Sequence, residues 1–223
     1  MDEITRLGRE HLALHGAAAL SLRAVARDLG VVSSAVYRYV SSRDELLTLL
    51  LVDVFNELGD AVDAALAEVP ADAHADRFRA LAAALRGWAQ RDPAGFALAY
   101  GSPVPGYHAP AERTTGPGTR VIVALIGIFD RAHQAGCVPD LPPIVLSTTA
   151  RAEGLRRDCE AVRDRFALDL PDSLIARVVF VMTALFGAIS WDVFDQYGPG
   201  IFTDRDALFD YQLELMLQTV GMS

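Results

Sequence analysis

The sequence contains no lysine, so all 20 of its basic residues are arginines, which stand against 29 aspartates and glutamates. Chemistry that depends on a Schiff-base lysine or on the lysine of a phosphate-binding loop is therefore excluded. Cysteine is scarce as well, since Cys137 and Cys159 are the only two. This usage is typical of a reducing compartment and not of a disulfide-stabilised fold, and a redox role for either thiol stays open.

Long uninterrupted apolar runs are also missing. The longest runs, such as 46–55 and 177–189, are interrupted by Thr48, Asp53 and Thr183 or are shorter than the roughly 20 residues that span a bilayer. The first residues lack the basic start and apolar core of a signal peptide. We therefore expect a cytoplasmic protein with no membrane partner.

Motifs of catalysis, metal binding and phosphate binding are absent too. The sequence contains no HExxH, no ExxH pair of a diiron bundle, no G-x-S-x-G and no glycine-rich phosphate loop. His11 and His15 have the spacing of two metal ligands, but no third ligand lies nearby in the sequence. His133 and Cys137 are likewise four residues apart, a spacing more typical of packing than of a nucleophile and its base. We expect no catalytic residue, no metal site and no cofactor.

Apolar residues at helical spacing dominate what is present. The chain has 223 residues, of which 52% are hydrophobic, which is enough to bury a large core. Periodicity and capping residues predict an all-α fold. The predicted helices cover about 3–15, 42–68, 77–90, a short segment after Asp92-Pro93, 119–135, 142–166 opened by Pro142-Pro143, 172–196, and a last helix opened by Thr203 and Asp206. The glycine- and proline-rich stretch Gly101 to Gly118 is predicted to be a loop.

Ser21 to Leu47, SLRAVARDLGVVSSAVYRYVSSRDELL, predicts two short helices at a tight turn. Ser21 is a candidate N-cap for the first helix, Gly30 ends it, and Ser33 is the candidate cap of the second. Ser42 and Glu45 form a predicted capping box for the long helix that follows. An earlier amphipathic helix would brace this pair through Ile4, Leu7, Leu12 and Leu14. The pattern is that of a helix-turn-helix.

These residues closely resemble the TetR family of bacterial regulators in one ungapped run. The matching positions are Leu20-Ser21, Arg23, Val25-Ala26, Leu29-Gly30-Val31, Val36-Tyr37, Tyr39-Val40, Arg43 and Leu46-Leu47. The segment RGWAQRDPAGFALAYGSPVPGY also resembles the C-terminal domain of an actinobacterial-type subgroup. The resemblance implies an N-terminal three-helix DNA-binding module (1–47) and a larger helical domain for effector binding and dimerisation (48–223).

The recognition helix departs from the family at its start. Family members often carry proline, glycine or threonine with a glutamine or lysine there, whereas this chain has Val32, Ser33, Ser34 and Ala35. These short side chains predict sparse direct reading of bases.

Charge is distributed unevenly along the chain. Residues 1–43 carry six arginines against four carboxylates, a net charge of +2, while the remainder carries 14 arginines against 25 carboxylates, a net charge of −11. A local basic face suffices to neutralise phosphates, and the acidic body stays off the duplex. A solvated helix surface is an adequate interpretation of Arg6, Arg9 and Arg27.

We predict that the DNA-binding residues lie on and beside the second helix. Ser33, Ser34 and Tyr39 would face base edges, and Tyr37, Arg38 and Arg43 would contact phosphates. The complete predicted set is Ser21, Arg23, Ser33, Ser34, Ala35, Tyr37, Arg38, Tyr39 and Arg43.

The resemblance also implies a small-molecule effector and a homodimer on operator DNA. Aromatic residues that could line an effector site, with a histidine to orient a polar group, are Trp88, Phe96, Tyr100, Phe129, His133, Phe180, Phe186 and Trp191. Residues predicted to pack the last two helices against a second copy are Val179, Ala184, Gly187, Ala188, Leu213, Met216 and Leu217. The alternatives are a helical enzyme or a DNA-binding scaffold that takes no ligand.

Overall fold

The computed structural model describes residues 2–139 and 148–222, and all regular structure in these two ranges is helical. The all-α prediction is therefore confirmed. In chain order the elements are α1 (Asp2–His15), the 3-10 turn η1 (Ala17–Ala19), α2 (Leu22–Asp28), α3 (Ser33–Tyr37), α4 (Arg43–Ala67), α5 (His74–Arg91), α6 (Pro93–Tyr100), α7 (Ala111–Gln134), α8 (Thr149–Phe166), α9 (Asp172–Val193) and α10 (Arg205–Thr219).

The chain divides into two compact units. The first unit comprises Met1–Ala61 and Gly87–Val121, and the second comprises Val62–Arg86 and Ile122–Ser223. Three helices, α4, α5 and α7, contribute residues to both units.

One apolar cluster forms the core around the first four helices. Its buried members are Ile4, Leu7, Leu20, Leu22, Val25, Ala26, Val36, Val40, Leu46, Leu47 and Leu50. The expected bracing role of Leu14 is wrong, because this side chain is 76% exposed. Leu14 stands in the last turn of α1, which ends at His15, and the last buried apolar residue of this helix is Leu12.

The predicted caps of the two short helices need correction. Ser21 occupies the N-cap position of α2, but its side chain makes no capping hydrogen bond. The N-cap of α3 is Val32 and not Ser33, which is already helical. Between the two helices, Gly30 has a φ of 71°, the left-handed conformation that favours glycine at a helix C-terminus. The turn places α3 one residue earlier than the serine pattern indicated.

The start of α4 fulfils half of the predicted capping box. The backbone N–H of Glu45 donates to Ser42 Oγ at 3.1 Å. The carboxylate of Glu45 does not return to Ser42; it accepts two hydrogen bonds from Arg113 Nη1, at 2.9 and 2.8 Å. A charged partner from α7 therefore replaces the second half of the box.

The prediction of a loop over 101–118 is wrong from Ala111 onward, since α7 begins there and includes Pro117. Proline inside a helix removes one backbone donor, so tertiary contacts must compensate. Arg113 anchors the first turn to Glu45, and Gly118 lies so close to Phe55 that an added Cβ would stand 3.0 Å from its ring. Threonine hydroxyls also bond backbone carbonyls in this segment, from Thr114 to Pro110 at 2.8 Å.

The sequence suggested that Arg9 lies on a solvated helix surface, but in the structure its guanidinium is paired with carboxylates. Its guanidinium donates to Asp92 Oδ2 at 2.6 Å and to Glu57 at 2.7 Å, and it lies 3.4 Å from Asp53. Asp92 also caps α6, because its other carboxylate oxygen accepts from the N–H of Gly95 at 3.0 Å. The predicted cap is thus confirmed, and Arg9 ties α1 to α4 and to the start of α6.

The second unit is built on α8, α9 and α10 with parts of α4, α5 and α7. Phe78 of α5 and Phe129 of α7 stack at 5.4 Å between ring centroids. Two boundaries here differ from prediction. Helix α9 ends at Val193. Helix α10 is capped not by Thr203 but by Asp204, which accepts from the N–H of Ala207. The predicted helix start at Pro142-Pro143 lies outside the described residues.

Helix α9 buries one face and exposes the other. Leu174, Val181 and Ile189 are buried, whereas Phe180 and Trp191 are half exposed, at 56% and 50%. Among the described residues it is the one helix long and apolar enough to cross a membrane, judged by length and composition alone. A core helix passes the same test, and only a third of that window is buried here.

We predict that Asp92→Ala destabilises the protein by about 1–2 kcal/mol, because α6 loses its N-cap and Arg9 loses a partner. The change in melting temperature, about 2–4 °C per kcal/mol for a chain of this size, is measured by thermal unfolding. Asp60→Ala is the matched control, since Asp60 is an exposed carboxylate paired with Arg120. Equal losses in the two variants would contradict the assigned role of Asp92.

Candidate nucleic-acid interface and apolar face

The helix-turn-helix is formed by α2, the turn at Gly30 and α3. The turn is closed by backbone bonds from Gly30 to the Arg27 carbonyl at 3.0 Å and from Val31 to the Ala26 carbonyl at 3.1 Å. Val36 and Val40 are buried in the core cluster, at 2% and 0% exposure. Because these two residues point inward, the remaining side chains of α3 face solvent.

The predicted DNA-binding residues on and after α3 lie on this outer side. Ser34, Tyr37, Arg38 and Tyr39 are exposed, and Ser33 and Ala35 are partly exposed. The structure therefore brings these six positions together on one short segment. Val32, which sequence reasoning left out of the set, is the most exposed apolar residue of this segment. The sequence feature that could have identified Val32 is a residue without a capping oxygen directly before a helix.

The arginines of this region differ in whether they form ion pairs or hydrogen bonds within the chain. Arg23 and Arg38 are exposed and have no ion-pair partner among the described residues. Arg27 pairs with Asp28 at 3.3 Å. Arg43 donates from Nη2 to the backbone carbonyls of Ala17 and Ala18, at 2.9 and 3.1 Å. Arg43 thus ties the start of α4 to η1, and its predicted phosphate contact stays a prediction.

A buried histidine connects α1 to the end of α2. His11 is 7% exposed, and its Nε2 lies 2.7 Å from Asp28 Oδ2. The hydrogen bond with His11 lowers the pKa of the Asp28 carboxyl below its ordinary value, with a smaller contribution from Arg27. His11 therefore holds α1 to α2 through this hydrogen bond. The described residues contain no group of three or more potential metal ligands.

The segment after α6 contacts the start of α4. Tyr107 Oη and Thr48 Oγ1 are 2.9 Å apart, and Val104 and Leu98 pack against the core cluster of the first four helices. No sequence motif marks these contacts, because the partners are some 60 residues apart in the chain. Together with Arg9–Asp92 and Arg113–Glu45, they attach α6 and the first turn of α7 to α1 and to the start of α4.

The residues predicted to bind an effector fall into both units. In the first unit, Tyr100 contacts Phe96 and Phe55, with ring centroids 5.4 and 6.0 Å apart, and Trp88 is buried. Burial raises the pKa of Tyr100 to about 12. In the second unit, Phe129 is fully buried, and His133 and Phe186 are partly buried.

The other two predicted effector residues, Phe180 and Trp191, lie in an open groove along α9 and α10. This apolar groove has a volume of about 780 Å³ and is lined by Phe180, Ala184, Gly187, Ala188, Trp191 and Leu215, among others. It therefore unites two predicted effector residues with three predicted dimer residues. Met216, a fourth predicted dimer residue, also lines the groove. Val179 is exposed, and Leu213 and Leu217 are buried within the unit.

Two family models match the chain. Residues 4–50 match the model of bacterial regulatory proteins of the tetR family, and residues 78–216 match the tetracyclin repressor-like C-terminal domain. The chain belongs to the TetR family. The first match runs from α1 into the start of α4 and includes Arg9, Val32 and Arg38. The second includes most of the residues that line the groove of α9 and α10.

Similar proteins agree with this assignment. An HTH-type transcriptional regulator of Mycobacterium tuberculosis is 48% identical over 219 residues, which span 98% of this chain and 91% of the relative. A regulatory protein of solved structure has a TM-score of 0.77 at 29% identity, over 97% of this chain and 94% of the other. The Bacillus subtilis regulator FadR, solved in complex with stearoyl-CoA, has a TM-score of 0.66 at 13% identity over 98% of both chains, which shows the shared fold alone. This TetR-family protein is therefore a DNA-binding transcriptional regulator of the helix-turn-helix type.

We predict that Arg38→Ala weakens binding to all DNA sequences alike, because an exposed arginine without an ion pair is available for a phosphate. Each lost phosphate contact reduces the slope of log K against log salt by about 0.9, so a dimer should lose about 1.8. The slope is measured by fluorescence anisotropy over a salt series. Arg27→Ala is the control, since its guanidinium is already paired with Asp28. A changed base preference with an unchanged slope would contradict the phosphate role.

Proposed function

We propose that this regulator is a ligand-responsive repressor that binds a palindromic operator as a homodimer and is released by a small apolar or amphipathic effector. The observation that carries the proposal is the exposed apolar groove of α9 and α10, in a chain whose other end is a helix-turn-helix. Residues 1–47 would contact DNA, and residues 48–223 would provide the effector and dimer contacts. We also propose a cytoplasmic location, where operator DNA is found.

The groove supports a second copy of the chain as its occupant. Val179, Phe180, Trp191, Tyr211 and Leu215 are each more than 40% exposed. An exposed patch of this kind on two neighbouring helices is a typical interaction surface. Two helices from each copy would form a four-helix interface in which the same patch meets itself about a two-fold axis.

Small residues support close approach of the two copies. Ala184, Gly187 and Ala188 lie in the groove, and a Cβ added at Gly187 would meet no atom of its own chain within 4 Å. Helices pack closely where such residues face each other, because the backbones can approach. Binding to a lipid surface does not require small residues at these positions, so their presence favours a protein partner over a membrane.

Dimer symmetry supports a palindromic operator. The two α3 helices would enter successive major grooves about 34–36 Å apart or at a multiple of that distance. Within each copy, Ser33, Ser34 and Tyr39 would face base edges, and Tyr37, Arg38 and Arg43 would contact phosphates. Ser21, Arg23 and Ala35 complete the proposed surface.

The aromatic residues of the first unit support an apolar or amphipathic effector. Trp88, Phe96 and Tyr100 offer large apolar side chains with one phenol, and Phe129, His133 and Phe186 belong to the second unit. FadR, which shares the fold, was solved with stearoyl-CoA, an amphipathic molecule. The effector of this protein would belong to the same broad class, and Phe180 and Trp191 would serve the dimer instead.

Contacts inside the first unit support a route from effector to DNA. Helix α6 carries Phe96 and Tyr100 and is held to α1 by Asp92–Arg9, while α7 is held to the start of α4 by Arg113–Glu45. Displacing α6 or α7 would therefore pull on the helices that orient α3. A small rotation would change the separation of the two recognition helices, and the dimer would lose contacts in both grooves together.

We predict that Gly187→Leu abolishes the dimer while the fold persists, because a Cβ added at this position meets no atom of its own chain within 4 Å. Overpacking costs about 1–3 kcal/mol at each site, and the two-fold axis makes it occur twice. Sedimentation equilibrium at micromolar concentration measures the mass, and circular dichroism verifies the helix content.

The matched control is Gly154→Leu on α8, another helical glycine with no atom within 4 Å of an added Cβ. This variant should remain dimeric. A monomeric parent protein, or one that floats with lipid vesicles, would overturn the symmetric interface and the palindromic operator with it.

We also predict reciprocal coupling between effector and operator. Small apolar and amphipathic molecules are first screened for a rise in melting temperature and for release of operator DNA in a gel shift. Calorimetry then compares the affinity of an active molecule with and without operator. The operator should weaken binding of the effector by the same factor by which the effector weakens binding of the operator, typically about 5–150-fold. Equal affinities would contradict the release mechanism, and chemical turnover without DNA binding would favour a helical enzyme.

A further inference from the structure

Val32 is an unusual residue for its place in the fold. It is 71% exposed and occupies the N-cap position directly before α3. Its φ of −68° and ψ of 143° are ordinary for a cap, and its carbonyl accepts from the N–H of Ala35 at 2.9 Å. The backbone therefore has the geometry of a cap, but the side chain lacks the oxygen that a cap supplies.

Serine, threonine, aspartate or asparagine at this position would stabilise α3 by accepting a hydrogen bond from its first turn. Valine instead leaves those donors to water and exposes two methyl groups. Both effects lower the stability of a helix that has only five residues. Residues that break a local rule in this way are commonly found where function requires them.

The chemistry of the major groove limits what an exposed valine can recognise there. Base edges in this groove present hydrogen-bond donors and acceptors, and the one apolar group among them is the C5-methyl of thymine. Val32 can neither donate nor accept through its side chain. An apolar contact with a thymine methyl is thus the one base-specific contact available to it.

We propose that Val32 determines specificity by packing against the 5-methyl group of a thymine, so that each operator half-site carries a thymine at that position. The proposal rests on the proposed function, in which α3 enters the major groove. The neighbouring Ser33 and Ser34 are short, so they do not hold Val32 away from the base edges. Val31, 43% exposed, lies on the turn itself and precedes the cap.

The experiment begins with a duplex selected by the full-length protein from a random library. Each thymine of that duplex is then replaced by deoxyuridine, which removes the methyl group and keeps every hydrogen-bonding atom. At one position per half-site, the replacement should weaken binding about fourfold, the value expected for one buried methyl group. Replacement in both half-sites should weaken it about fifteenfold.

Two variants test whether Val32 is responsible. Val32→Ser removes both methyl groups and adds a capping oxygen, so we expect a higher melting temperature together with loss of the thymine preference. Because stability and preference change in opposite directions, damage to the fold cannot explain the result. Leu14→Ala is the control, since Leu14 is an exposed apolar residue of α1 and should leave the preference unchanged.

The outcomes separate the two proposals. If no duplex is selected, the proposed binding of an operator fails and this inference fails with it. If a duplex is selected but all deoxyuridine replacements are neutral, the assignment of Val32 is wrong while DNA binding stands. If Val32→Ser retains the full preference for thymine, another residue reads the methyl group, and the assignment is likewise overturned.

Discussion

Burial of the first half of α4 is the constraint on which the DNA-binding helices depend. Leu46, Leu47 and Leu50 are fully buried in the same cluster as Val36 and Val40. Helices shorter than about 12–15 residues are marginal on their own in water. Since α2 has seven residues and α3 has five, their stability must come from this shared core. The orientation of α3 is therefore set by the helix that follows it.

Arginine supplies several of the polar contacts around that core, in a chain without lysine. A planar guanidinium can donate to several acceptors in fixed directions, whereas an ammonium acts as a point charge. Arg9 uses this property to join carboxylates of α4 and of the α6 cap, and Arg43 uses it to hold two carbonyls of η1. Arg9 thus joins α1 to α4 and to the cap of α6, and Arg43 joins the start of α4 to η1.

The same geometry gives the regulator two kinds of surface. Near α3, exposed hydroxyl, phenol and guanidinium groups lie beside the exposed Val31 and Val32, a surface suited to a groove that is mostly polar. Along α9 and α10, the groove is lined by aromatic and small apolar residues, and none of the described residues that line it is charged. A polar surface of this kind fits nucleic acid, and an apolar one fits a protein partner, because each matches the chemistry it would bury.

The sequence by itself determined the helical fold, the helix-turn-helix and the family, because helical periodicity and the glycine turn are local properties of neighbouring residues. Tertiary structure alone decided the features that depend on distant partners. Proline and glycine predicted a loop where Arg113 and Phe55 hold the start of α7 as a helix. Arg9 is indistinguishable from a surface arginine until Asp92 is brought beside it. Similarly, the predicted effector residues include both the buried Phe96 and the exposed Trp191. Burial is a property of the packed chain and is not set by residue type.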